Sequence, residues 1–90
     1  MVRLTRAAEE DIAAIYAYYA ERDPDLAGRV ARAIMGAIEG LADFPLIGSA
    51  GVVAGTREWV MTRYPYRIVY RVAGDNVFIA RVRHHRQDWP

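Results

Sequence analysis

Tyr66-Arg67-Ile68-Val69-Tyr70-Arg71-Val72-Ala73, then Gly74-Asp75-Asn76, then Val77-Phe78-Ile79-Ala80-Arg81-Val82-Arg83 is the stretch whose reading decides the fold. Two runs rich in β-branched and aromatic residues flank three turn formers, which is the pattern of an antiparallel hairpin. A slip of one residue moves a whole strand's side chains to the opposite face, so the charges constrain the register. A three-residue loop with Asn76 in the left-handed conformation pairs Ala73 with Val77 and Arg67 with Arg83. Ile68, Tyr70, Val72, Phe78, Ala80 and Val82 then share one face. Arg67, Arg71, Arg81 and Arg83 share the other, with Val69 and Ile79 among them. A two-residue loop sets Arg81 and Arg83 beside Ile68 and Tyr70, and the three-residue loop is therefore expected.

Upstream, Tyr64-Pro65 is a turn and Arg57-Glu58-Trp59-Val60-Met61-Thr62 a further strand, preceded by a loop punctuated by Gly48, Gly51 and Gly55. The period then becomes helical. Ala27, Val30, Ile34, Ile38 and Leu41 form an apolar stripe on a helix that begins at Asp23-Pro24 and ends at Phe44-Pro45. Ala8, Ile12, Ile15 and Tyr19 form another on a helix over about 6–21, with Thr5 as N-cap and Glu9, Glu10 and Asp11 in its first turns. The short break between them predicts an antiparallel helical hairpin. Gly28, Gly36 and Gly40 on the second helix suggest a close approach of the first. With Val2–Leu4 as an opening strand, the order β-α-α-β-β-β implies an α+β fold, the helical hairpin packed on one face of a small antiparallel sheet.

Ninety residues at 10.2 kDa are expected to make one domain spanning 1–90. The composition, 53% hydrophobic and 26% charged, is that of a soluble globular chain. The absence of cysteine excludes a disulfide framework, a thiolate metal site and a cysteine nucleophile, and makes the cytoplasm the expected compartment. Two histidines do not make a metal cluster, and no run approaches the length of a membrane span or a signal peptide. No cofactor, metal or membrane is therefore expected. The net charge of +1 conceals an asymmetry: five arginines face eight acids in the first 45 residues, and seven face three in the remainder. All 12 basic residues are arginine, the planar bidentate partner of carboxylate and phosphate.

The proposed register sets Arg67 across from Arg83 with Arg81 close by, and like charges directly opposite destabilise a sheet. A face that keeps them is expected to meet an anionic partner. The residues assigned to partner binding are Arg67, Arg71, Arg81, Arg83, His85, Arg86 and Trp89. The competing reading is that the arginine stems cover the open face of a thin sheet while their heads stay in water. His84 falls on the helix side, as a satisfied, half-buried histidine. A histidine with Arg86 supplies an acid and a phosphate-stabilising charge, but an RNA-cleaving site also needs a base, and only Asp88 and Glu58 are near in sequence. Gly48-Ser49-Ala50-Gly51 lacks the lysine and spacing of a phosphate loop, and no triad signature is present.

Taken together, Leu4-Thr5 before Asp11-Ile12, Phe44-Pro45, Gly55-Thr56-Arg57-Glu58, the block Arg63-Tyr64-Pro65-Tyr66-Arg67-Ile68-Val69-Tyr70-Arg71-Val72 and the ending Arg81-Val82-Arg83-His84-His85-Arg86-Gln87-Asp88 resemble the RelE/ParE superfamily of type II toxin–antitoxin toxins. Within it the chain is similar to the ParE, or plasmid-stabilisation, branch over nearly its full length. The resemblance implies a bacterial toxin that acts on DNA gyrase without a hydrolytic site and is neutralised by a cognate antitoxin whose C-terminal segment wraps it. The RelE branch implies instead a ribosome-dependent mRNA endonuclease, in which Arg67, His85 and Arg86 would form the catalytic centre. Arg67 matches an arginine that both branches carry on the central strand. Lysine is absent, however, no tyrosine follows Tyr70, and the loop from Pro45 to Thr56 holds no glutamate. A degenerate, non-toxic binding module is the third possibility.

Overall fold

In the computed structural model, which describes residues 1–85, the order is β1 (Val2–Leu4), α1 (Arg6–Ala20), α2 (Pro24–Asp43), β2 (Ser49–Ala50), β3 (Arg57–Val60), β4 (Tyr66–Ala73) and β5 (Asn76–His84). The two helices pack against a five-stranded sheet of order β1-β5-β4-β3-β2. This is the expected α+β architecture with two additions. β1 runs parallel to β5, so the sheet is mixed, and the loop before β3 supplies a further two-residue edge strand.

Local chemistry sets the helix ends. The Thr5 hydroxyl accepts from the Ala8 N–H at 3.1 Å, and Asp23 Oδ1 accepts from the Leu26 N–H at 3.2 Å with Pro24 at the first turn. At the α1 C-terminus, where carbonyls lack intrahelical donors, Arg22 Nη1 donates to the Tyr18 carbonyl at 2.6 Å. The α2 stripe of Ala27, Val30, Ile34, Ile38 and Leu41 is wholly buried. It meets Ile68, Tyr70, Val77, Ile79 and Val82 of the sheet, and each large apolar side chain so removed from water contributes about 1.5–3 kcal/mol. The glycines of α2 do not mark a close helix approach. A methyl group at Gly36 or Gly40 would meet nothing within 4 Å, and at Gly28 only the Arg32 side chain.

Gly48 is different. A Cβ there would lie 2.6 Å from the Tyr70 hydroxyl and 2.8 Å from the Glu58 carbonyl. The space is needed because the fully buried Tyr70 holds the loop: its hydroxyl accepts from the Gly48 N–H at 3.0 Å and donates to the Pro45 carbonyl at 2.7 Å.

The β4–β5 hairpin corrects the expected loop. Ala73 pairs with Asn76, so the turn has two central residues, Gly74 and Asp75. Gly74 takes the positive φ, at +58°, and no non-glycine residue among those described does, so Asn76 is not left-handed. Glycine at the first central position is the requirement of a type II′ turn. The register is then restored by a bulge: Tyr70 faces Ile79 while Val69 faces Arg81, which leaves Ala80 as an additional residue on β5. Beyond it Arg67 does face Arg83. Before it the faces of β5 are the reverse of the expectation, with Val77 and Ile79 in the core and Phe78 half-buried outside it, while Tyr70 and Val72 of β4 face the core as expected.

Candidate functional site

The sheet face away from the helices carries the candidate residues. By strand alternation β4 places Arg67, Val69 and Arg71 there, β3 places Glu58 and Val60, and β5 places Arg83 beyond the bulge. Arg67 and Arg83 are directly opposed, but the charge is not unrelieved, because Arg67 Nη1 lies 3.6 Å from Glu58 Oε1. The Arg67 and Glu58 side chains are only 15% and 11% exposed, so this pair is screened far less than a surface ion pair. The other Glu58 oxygen, Oε2, accepts from the Val52 N–H at 3.1 Å. Both carboxylate oxygens are therefore engaged. Arg71 is exposed and donates to the Ala54 carbonyl at 3.4 Å, a long and weak bond.

Arg81 is not the third member of an unmatched cluster. β1 flanks β5 only along Val77–Ile79, and from Ala80 onward that edge is taken over by the start of α1. The Thr5 hydroxyl donates to the Ala80 carbonyl at 2.9 Å and Asp11 Oδ2 accepts from the Val82 N–H at 2.9 Å. Arg81 reaches the same carboxylate, with Nε to Oδ2 at 2.7 Å and Nη2 to Oδ1 at 2.9 Å. This bidentate geometry is the strong form of the charge-assisted bond. It holds the guanidinium above its already high ordinary pKa, the Asp11 hydrogen bonds being the main cause. The expected repulsion of Arg81 by Arg67 and Arg83 is thus replaced by a lock between α1 and β5. Asp11 entered the sequence reading only as an acid near a helix start.

A groove of about 440 Å³ opens beside this lock, lined by Ile15, Tyr18, Tyr19, Tyr66, Arg83 and His84. The Tyr66 hydroxyl donates to that of Tyr19 at 3.3 Å, and the phenol of Tyr66 is pushed above its usual pKa, first by burial and then by this hydrogen bond. The half-buried His84 packs edge-on against Tyr66, ring centroids 5.7 Å apart, as a satisfied histidine should. Arg22 lies 3.8 Å over the exposed Tyr18 ring. Tyr66 was not a candidate from sequence, since alternation marked it only as a strand residue.

His85 is exposed, donates its N–H to the Pro65 carbonyl at 2.8 Å, and lines a shallow groove with Val60, Met61, Thr62, Arg63, Tyr64 and Pro65, none of them acidic. Arg86 and Trp89 lie outside the described residues. Among the described residues no three acids or histidines gather as metal ligands, and no helix is long and apolar enough to cross a membrane.

The solved structures that share this architecture define its class. A chromosomal ParDE toxin–antitoxin system from P. aeruginosa superposes with a TM-score of 0.83 at 27% identity, covering 92% of this chain and 92% of that one. The toxin–antitoxin complex RelBE2 from Mycobacterium tuberculosis superposes with a TM-score of 0.66, also at 27% identity, covering 93% and 95%. A relative from Sinorhizobium fredii named "Putative toxin Y4kP" is 40% identical over 89 residues, 99% of this chain and 92% of that protein. The family described as ParE toxin of type II toxin–antitoxin system, parDE, matches residues 2–89, and the chain belongs to that family.

Proposed function

We propose that this toxin inhibits DNA gyrase in the bacterial cytoplasm without hydrolysing a substrate, and that a cognate antitoxin neutralises it. The observation that carries this reading is the match to the ParE family over residues 2–89, with a closer superposition on ParDE than on RelBE2. The geometry supports it. Glu58, the carboxylate beside Arg67, already holds Arg67 and the Val52 N–H, so it is not poised as a general base, and the groove at His85 contains no acid. Arg67, Arg71, Arg83 and His85, with Arg86 and Trp89, are proposed to meet the partners. Arg81 presents only what the Asp11 pair leaves exposed.

The discriminating assay is supercoiling by purified gyrase. Inhibition that rises with toxin and is reversed by the antitoxin encoded beside it is the expected result. Undiminished supercoiling at large excess overturns the reading. Message cleaved on translating ribosomes, and lost in His85→Ala, would assign the RelE-type endonuclease instead. A protein that arrests no growth when expressed alone is the non-toxic binding module.

A further inference from the structure

A second basic cluster lies apart from the outer sheet face, where α2 meets the turn between β3 and β4. Arg29 and Arg32, three apart on α2, project from one side of that helix. With Arg63, Ala33 and Tyr64 they line a groove of about 300 Å³. All three arginines are exposed. The ion pairs among the described residues engage Arg22, Arg67 and Arg81, and among those residues no hydrogen bond or carboxylate engages the side chain of Arg29, Arg32 or Arg63. Three guanidiniums therefore converge on one groove whose lining holds no acid.

The geometry points to a site for the phosphodiester backbone of nucleic acid, formed by Arg29, Arg32 and Arg63. The guanidinium fork matches phosphate oxygens in bidentate fashion, and binding of this kind needs cations and donors but no apolar anchor. An acidic protein segment would need such an anchor at the centre of its interface, and here Ala33 and Tyr64 are both half-buried against the core. The exposed apolar side chains Phe44, Leu46 and Ile47 are at the other end of α2. At 1.5 Å per residue that end is about 22 Å from Arg29. The site stands whether or not gyrase is the target.

The test is fluorescence anisotropy with a labelled 20-base-pair duplex, read from low to physiological salt. Each phosphate contact contributes about −0.9 to the slope of log K against log salt. Wild type is expected to bind at low salt with a steep slope. The triple variant Arg29→Ala, Arg32→Ala, Arg63→Ala is expected to lose more than tenfold in affinity and to flatten the slope by about 2–3. Arg32→Ala alone flattens it by about 1, which keeps the test open should the triple variant unfold. Arg6→Ala, an exposed arginine at the start of α1, is the comparison and should change it less than Arg32→Ala. No binding by wild type at low salt, or an unchanged slope in both Arg32→Ala and the triple variant, overturns the proposal. So does polyglutamate that binds this cluster while the duplex fails to displace it, which would assign the groove to an acidic protein.

Discussion

Arg81 and Arg71 lie ten residues apart on the two strands of one hairpin, and the same sequence pattern assigned both to the outer face. The structure separates them. Arg81 stands where β1 has ended, so the vacated edge of β5 is filled by the first turns of α1 and the guanidinium closes on Asp11. Arg71 pairs with Phe78 of β5 but lies one residue past the β3 ladder, bordered there by the loop before β3, and among the described residues its side chain has only the 3.4 Å bond to Ala54. Whether a strand arginine is structural or available to a partner is thus decided by what borders its strand, and residue type carries little of that information. Five substitutions test this contrast, ranked by their expected effect on stability.

Asp11→Ala should be the most damaging. It removes two charge-assisted bonds to Arg81 and the acceptor of the Val82 N–H, in a site where the Asp11 side chain is only 16% exposed. A cost of about 2–3 kcal/mol is expected, or roughly 4–8 °C of melting temperature per kcal/mol for a domain of this size. Arg81→Ala should follow it in direction, because the carboxylate is left without its cation. A melting temperature that stays level or rises in Arg81→Ala would return Arg81 to the class of repelled surface charges.

Tyr70→Phe comes next, at about 1–2 kcal/mol, since it leaves the Gly48 N–H and the Pro45 carbonyl without their shared hydroxyl. Hydrogen exchange should show the loss at Gly48 before it appears in the helices.

The same contrast explains what could be read from the chain. Helix limits were legible to within a residue because their determinants are local: Thr5, Asp23-Pro24 and Phe44-Pro45 act on backbone groups three or four residues away. The apolar stripe of α2 was legible for the same reason. A regular ladder demands three residues in the turn to face Arg81 and Arg83 outward, and the bulge at Ala80 lets two suffice. The bulge coincides with the grip of Thr5 and Asp11 on Ala80 and Val82, partners some 70 positions away that no local pattern reports. The opposition of Arg67 and Arg83 was read correctly, through two errors that cancel. Glu58 as the partner of Arg67 and Tyr66 as a groove wall went unread, since each depends on cross-strand placement.

Tyr66→Phe tests the groove, with a smaller effect of about 0.5–1 kcal/mol at neutral pH from the lost hydroxyl pair with Tyr19. Its sharper signature is in pH. The folded protein keeps the Tyr66 proton above the ordinary phenol value of 10.0. The unfolded chain, with an unperturbed phenol, releases its proton near that value. Above it the unfolded state binds fewer protons, so stability is fully present below about pH 10 and falls as pH rises beyond. Wild type should therefore lose melting temperature between pH 10 and 11 more steeply than Tyr66→Phe. Parallel slopes would mean that the phenol is not held by burial.

Arg71→Ala should move stability least, by less than about 0.5 kcal/mol, because an exposed side chain with one long hydrogen bond contributes little to the fold. Its effect belongs to binding. If the outer face meets carboxylates of an antitoxin, the Arg71 guanidinium becomes desolvated only in the complex, and desolvated charge pairs carry couplings that exposed ones do not. Titration calorimetry against the antitoxin at two salt concentrations should show weaker binding for Arg71→Ala with an unchanged melting temperature of the free toxin. For Arg81→Ala the order reverses, since much of its bonding capacity is already committed to Asp11 within the free fold. Equal losses of affinity in the two variants, with equal melting temperatures, would show that the boundary drawn by the end of β1 does not sort these arginines by role.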